Sequence, residues 1–240
     1  MLLLAIPGVL YAGYYSKLLG EPIWFYELRT LTGSELLAAL TGFAAGWAQV
    51  RLIPKVRLSR LGARMLVPVL LGVGLAVPYL KPIFRPLRNV SLRDEWQDGV
   101  CLQSSASTCG PASAVTILRE LGQPASEAGL AQESFASASG TENWYLARAL
   151  RHHGMRTRFL FSAGLQCSLP AISGVRLRSA GNAGHFIALL GREGEQFVVA
   201  DPLDGRFTNT LGELRMKYEF TGFLMVVNRD GRRGVQNFSH

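Results

Sequence analysis

The run Gln103-Ser104-Ser105-Ala106-Ser107-Thr108-Cys109-Gly110-Pro111-Ala112-Ser113-Ala114-Val115-Thr116-Ile117-Leu118-Arg119-Glu120-Leu121-Gly122 places one cysteine where a polar loop passes into helical periodicity. Apolar residues recur at helical spacing after Cys109. Pro111 falls in the first turn, where its missing N–H costs no hydrogen bond, and Gly122 supplies a stop. The thiol therefore stands at a helix N-terminus, where unpaired N–H groups and the helix dipole favour an anion. Thiolate is the nucleophilic form of cysteine, so the placement suits a catalytic thiol. Gln103 lies six residues upstream, a separation that lets its amide fold back beside the sulfur. There, with the Cys109 N–H, it would stabilise the oxyanion of a tetrahedral intermediate.

A second stretch supplies a base. His185-Phe186-Ile187-Ala188-Leu189-Leu190 reads as a strand, Gly191 to Gln196 as a turn, and Phe197-Val198-Val199-Ala200-Asp201 as the partner strand, ended by Pro202. His185 lies six residues before the turn and Asp201 five after it, so antiparallel pairing brings the two side by side. An imidazole held by a carboxylate is the base that a thiol nucleophile needs. Taken singly, Cys109 is a buried thiol, His185 a strand-end histidine and Asp201 a turn former before proline. The hairpin register couples the histidine and the carboxylate, and the helix N-terminus adds the thiol.

The pattern from Gln103 to Ala112, with Gly184-His185-Phe186 and Ala200-Asp201-Pro202, resembles the bacteriocin-processing double-glycine peptidases and their stand-alone relatives. The stretch Gly140 to Gly154, ending Ala147-Arg148-Ala149-Leu150-Arg151-His152-His153-Gly154, is similar to that family's helix after the catalytic one. The resemblance covers roughly residues 97 to 227. It implies a papain-like α+β fold, a catalytic helix packed on an antiparallel sheet, with Cys109 as nucleophile, His185 as base, Asp201 as orienting carboxylate and Gln103 in the oxyanion hole. It also implies cleavage of peptide bonds in a peptide or small-protein substrate, often after Gly-Gly in a leader, and it implies no cofactor. Many relatives carry Asp before the catalytic cysteine, where this chain has Thr108. Many are the leading domain of an ATP-driven exporter, whereas this sequence holds no GxxxxGK[ST] phosphate loop. A separate transporter or secretion partner is the corresponding expectation.

The remainder of the chain differs in character. Residues 1 to 90 carry 10 Lys/Arg against three acids, and residues 91 to 240 carry 15 against 14, so the formal charge of +8 belongs almost wholly to the first part. Those basic residues sit between apolar runs rather than on a soluble face, which argues against nucleic acid as a partner. The apolar stretches 2–19, 36–53 and 65–80 approach the length of about 20 residues that spans a bilayer. Trp24, Phe25 and Tyr26 fall where an aromatic belt would lie, and Gly42 and Gly46 have the spacing of close helix packing.

Two or three membrane helices in residues 1–90, a basic linker over 81–93 and a peptidase domain from 91 to 240 are therefore expected. Arg51, Lys55, Arg57, Arg60 and Arg64 put the second loop in the cytoplasm by the positive-inside rule, a bias of five basic residues against the four, Lys81, Arg85, Arg88 and Arg93, that follow the third stretch. One further crossing delivers the peptidase to the outer, periplasmic face of a bacterial inner membrane.

Cys101, Cys109 and Cys167 match no paired CxxC metal pattern. Pairing of Cys101 with Cys167 stays open. Adjacent His152 and His153 do not share a helix face as i, i+4 ligands would, so no metal is expected. Two other functions fit the same motifs: a silent module that holds a peptide for a secretion partner, and a papain-like acyltransferase or amidase that differs only in its acceptor.

Overall fold

The computed structural model describes residues 91–229 continuously, together with 22–34, 83–87, Ile6, Leu10, Tyr14 and Gly20. The chain divides into two compact units, 1–84 and 85–240. In the first, α1 (Ile23–Thr30) follows Pro22 and buries Phe25 and Tyr26, while Trp24 stays half exposed. Phe25 stacks on Tyr14 at 4.3 Å between ring centroids. The apolar stretches 36–53 and 65–80, nearly all of 2–19 and the basic loop 51–64 lie outside the described residues. Among the described residues no helix is long and apolar enough to cross a membrane.

The second unit is α+β. A two-residue-strand hairpin, β1 (Trp96–Gln97) and β2 (Val100–Cys101), precedes α2 (Cys109–Glu120), α3 (Glu127–Glu133) and α4 (Asn143–His152). Residues Cys109 to Leu118 of α2 are all buried, because its small residues Gly110, Ala112, Ser113 and Ala114 admit neighbours on every side. The helix ends where the sequence places a stop: Gly122 takes φ +72°, and Gln123 N–H donates to Leu118 O at 2.8 Å, the wrap that satisfies a helix's last carbonyls. The intervening α3 was not legible as a separate helix. It is capped by Ser126, whose hydroxyl accepts from Gly129 N–H.

Six antiparallel strands follow: β3 (Met155–Phe161), β4 (Ala171–Leu177), β5 (Ala183–Glu193), β6 (Gln196–Asp201), β7 (Gly205–Thr210) and β8 (Tyr218–Arg229), in the spatial order β3-β8-β4-β5-β6-β7. Between β7 and β8, α5 (Leu211–Lys217) starts with a reciprocal capping box of Thr210 and Glu213. Leu214 from α5 joins Val175, Ile187, Leu189, Val199 and Tyr218 in one buried cluster. Helix α2 is tied to β5, since Ser113 Oγ donates to Phe186 O at 3.1 Å.

Where the expected linker 81–93 is described, it is pinned. Ala138 N–H donates to Arg85 O at 2.8 Å, and Arg93 N–H donates to Ser104 Oγ at 3.0 Å.

Candidate active site

Cys109 opens α2 and is 7% exposed. Thr108, the residue before the thiol, does not cap the helix with its side chain. It turns back instead: Ser105 N–H donates to Thr108 Oγ1, and Thr108 Oγ1 donates to Ser105 O, both at 3.1 Å. The hydroxyl thus closes the loop before the thiol on itself.

The hairpin that carries His185 and Asp201 is tighter than the sequence reading. β5 runs on to Glu193, β6 begins at Gln196, and Gly194 turns with φ +60°. The register contains a bulge: Glu193 pairs with Gln196 and Gly191 with Val198, but Leu189 pairs with Val199 and Ala188 with Ala200. Leu190 is the extra residue. Without it Asp201 would fall opposite Ala188, and so on the face away from His185. With it Asp201 falls opposite Ile187 and shares the face of His185. A slip of one residue exchanges the faces of a strand, and bulges beside active sites re-aim side chains in this way. Asp201 therefore stands diagonal to His185 rather than directly across.

The contact is close. His185 Nε2 lies 2.7 Å from Asp201 Oδ1, with the residues 5% and 0% exposed. Leu203 N–H donates to the same oxygen at 2.9 Å, and the buried Tyr218 hydroxyl donates to Oδ2. The Lys217 ammonium stands 3.9 Å from Asp201 Oδ2 and 2.5 Å from Asp204 Oδ2. Burial alone raises the Asp201 carboxyl, but the His185 contact, Tyr218 and Leu203 outweigh it and hold it below its ordinary value. Burial pulls His185 down, and hydrogen bonds to Asp201 and Cys109 overcome this, lifting it to about 9. The Tyr218 phenol is pushed up by burial and by Asp201, so it stays a donor. Nε2 faces Asp201, and the Cys109 side chain is the other polar neighbour that acts on the ring.

Gln103 is joined to this group through its backbone: its N–H donates to Pro202 O at 3.0 Å, next to Asp201. Its side-chain Nε2 donates to Ser105 O at 2.8 Å, which fixes which end of the amide is the donor. One Nε2 hydrogen remains, and Oε1 is buried with no hydrogen-bond partner among the described residues.

Cys101 and Cys167 are both free, so the pairing left open in the sequence is not made. Burial pushes their thiols up to about 12 and about 11, in Cys101 with help from Glu127 and Asp94. The ligand-type atoms of Asp94, Cys101 and Glu127 lie within 4.8 Å of one another. Both Glu127 oxygens accept from Ser104, and Asp94 Oδ1 accepts from Glu127 N–H, so these groups serve hydrogen bonds. His153 is the C-cap of α4 and lies 3.2 Å from Glu133.

Residues 98–231 match the peptidase C39 family. The chain belongs to the peptidase C39 family. An uncharacterised protein of Methanothermobacter thermautotrophicus is 31% identical over 143 residues, 59% of this chain and 94% of that one. A counterpart from Methanothermobacter marburgensis is 31% identical over 133 residues, 53% and 87% of the two chains. Among solved structures, a double glycine motif protease from an AMS/PCAT transporter, in complex with the leader peptide, is 21% identical with a TM-score of 0.47, over 55% of this chain and 91% of that one. The peptidase domain of Streptococcus ComA is 19% identical with a TM-score of 0.46, over 54% and 96%.

Tyr218 and Glu127 also contact this group, and the sequence pattern signals neither. Tyr218 opens β8, 17 residues after Asp201, and no spacing rule links the two. Glu127 belongs to a helix that the sequence did not reveal.

Proposed function

We propose that this chain is a cysteine peptidase in which Cys109 is the nucleophile, His185 its base, Asp201 the orienting carboxylate and Gln103 an oxyanion donor. The observation that carries the reading is the buried chain from Cys109 through His185 to Asp201, closed at 2.7 Å and completed by Tyr218. A lifted imidazole beside a thiol favours the thiolate–imidazolium pair, the reactive form in thiol enzymes. The thiolate adds to the scissile carbonyl, and the oxygen's new charge meets the Cys109 N–H and the free Gln103 N–H. His185 then gives its proton to the departing amine, leaving a thioester on Cys109. Water, deprotonated by His185, releases the acid and restores the thiol.

The substrate is a peptide or small protein, and a Gly-Gly leader site is the first to test because the four sequence motifs resemble the double-glycine peptidases. The stretches 2–19, 36–53 and 65–80 support membrane anchoring, with the peptidase on the outer face and a separate exporter as its partner. Comparing peptides released by cells that carry the native protein and its Cys109→Ala variant tests the reading. Products that end at a common site should appear only with the native protein; identical peptide sets would overturn it.

A further inference from the structure

Three consecutive residues of the oxyanion loop are each fixed by a different element. Gln103 N–H bonds to Pro202 O at 3.0 Å, in the turn that follows the base's carboxylate. Ser105 is held by Thr108, next to the thiol. Ser104 is held by Glu127, at the start of α3 and outside both the catalytic helix and the catalytic hairpin. Glu127 grips it with both oxygens: Ser104 N–H donates to Oε1 at 2.8 Å and Ser104 Oγ donates to Oε2 at 2.5 Å.

Glu127 is 0% exposed, and among the described residues no cation pairs with it. A buried carboxylate without a cation is costly, and a packed apolar or amide side chain would serve stability better. What this carboxylate provides is a rigid two-point hold on the residue next to Gln103. Asp94 Oδ1 in turn accepts from the Glu127 N–H, and Arg93 N–H donates to Ser104 Oγ, so the residues just before β1 close over the same clamp.

We propose that Glu127 is a positioning residue that holds Gln103 in place through Ser104 for the acylation step. The inference rests on the oxyanion role of Gln103. Hydrogen bonds to a developing oxyanion are worth most when the donor is already aimed, and a displacement of about 1 Å can cost roughly 10²-fold in rate. Among the described residues the Gln103 side chain makes one hydrogen bond, to Ser105 O, so its aim depends on how the loop backbone is held.

The test compares two reactions at the same sulfur in the full chain, each followed at Cys109 by peptide mapping. Iodoacetamide alkylates the thiolate by displacement and forms no oxyanion, whereas p-nitrophenyl acetate acylates it through one. Glu127→Gln should slow acylation by about 10-fold or more and leave alkylation within about twofold. Added to Gln103→Ala, it should cause no further loss, because both changes act on one donor. Ser104→Ala, which removes the hydroxyl contact and keeps the peptide one, repeats the test if Glu127→Gln does not fold. Acylation at the native rate in Glu127→Gln, or losses that multiply in the double variant, would overturn the inference and leave the oxyanion role standing if Gln103→Ala alone is slow. Native acylation in Gln103→Ala would remove both.

Discussion

His185 and Asp201 are bonded across β5 and β6 at 2.7 Å although the register sets them diagonal, and the bulge at Leu190 puts both on one face. The site therefore depends on backbone irregularity as much as on residue identity.

The pH profile carries the first prediction. His185 sits at about 9 against an ordinary 6.5, so the imidazolium that pairs with the thiolate persists until the pH passes about 9, and kcat/KM should fall there. Asp201→Asn removes a group that raises this value, so the upper limb should move to lower pH, with partial activity retained below it. The linkage has the same sign. Because the folded value exceeds the unfolded one, the stability lent by His185 is complete below about 6.5 and is lost as pH rises through about 9. Rate profiles and thermal melts across this range check both, and an unmoved limb in Asp201→Asn would count against the assigned pair.

Tyr218→Phe isolates the hydroxyl, since the ring remains in the buried cluster with Ile187 and Leu189. Loss of a hydrogen bond to a buried carboxylate should cost about 1.5–3 kcal/mol of stability, read by urea unfolding. Activity should fall less than in Asp201→Asn. Native stability and rate together would reduce Tyr218 to packing.

Thiol selectivity separates the three cysteines. Cys101 and Cys167 are pushed up to about 12 and 11 by burial, so they are protonated at neutral pH. Brief iodoacetamide treatment followed by peptide mapping should find Cys109 first. Prior labelling of Cys101 or Cys167 would contradict the site.

Membrane topology is open to reporter fusions in a bacterial host. If the three apolar stretches proposed above each cross the bilayer, the basic loop 51–64 predicts activity outside the cytoplasm for a fusion after residue 95. A cytoplasmic signal would move the peptidase to the inner face.

Sequence reading served well where chemistry is written locally. Helix α2 begins at Cys109 and stops at Gly122 because a proline in the first turn and a glycine after the last one act on neighbouring residues alone. The hairpin was visible but its register was not: a turn of six residues and a bulge with a turn of two both bring His185 and Asp201 together, and only the second is formed. Contacts between distant elements left no trace in the pattern. Tyr218 meets Asp201 because α5 intervenes and returns the chain, and Glu127 meets Ser104 because α3 folds under the loop.

The central claim is that Cys109 becomes acylated by a peptide carbonyl. Intact-mass analysis after rapid acid quench, with synthetic peptides spanning a Gly-Gly site, measures this most directly. The account predicts a thioester adduct of the N-terminal fragment on Cys109, together with free C-terminal fragment, and neither in Cys109→Ala. Cleavage that persists in Cys109→Ala, or an adduct that maps to another residue, would contradict it.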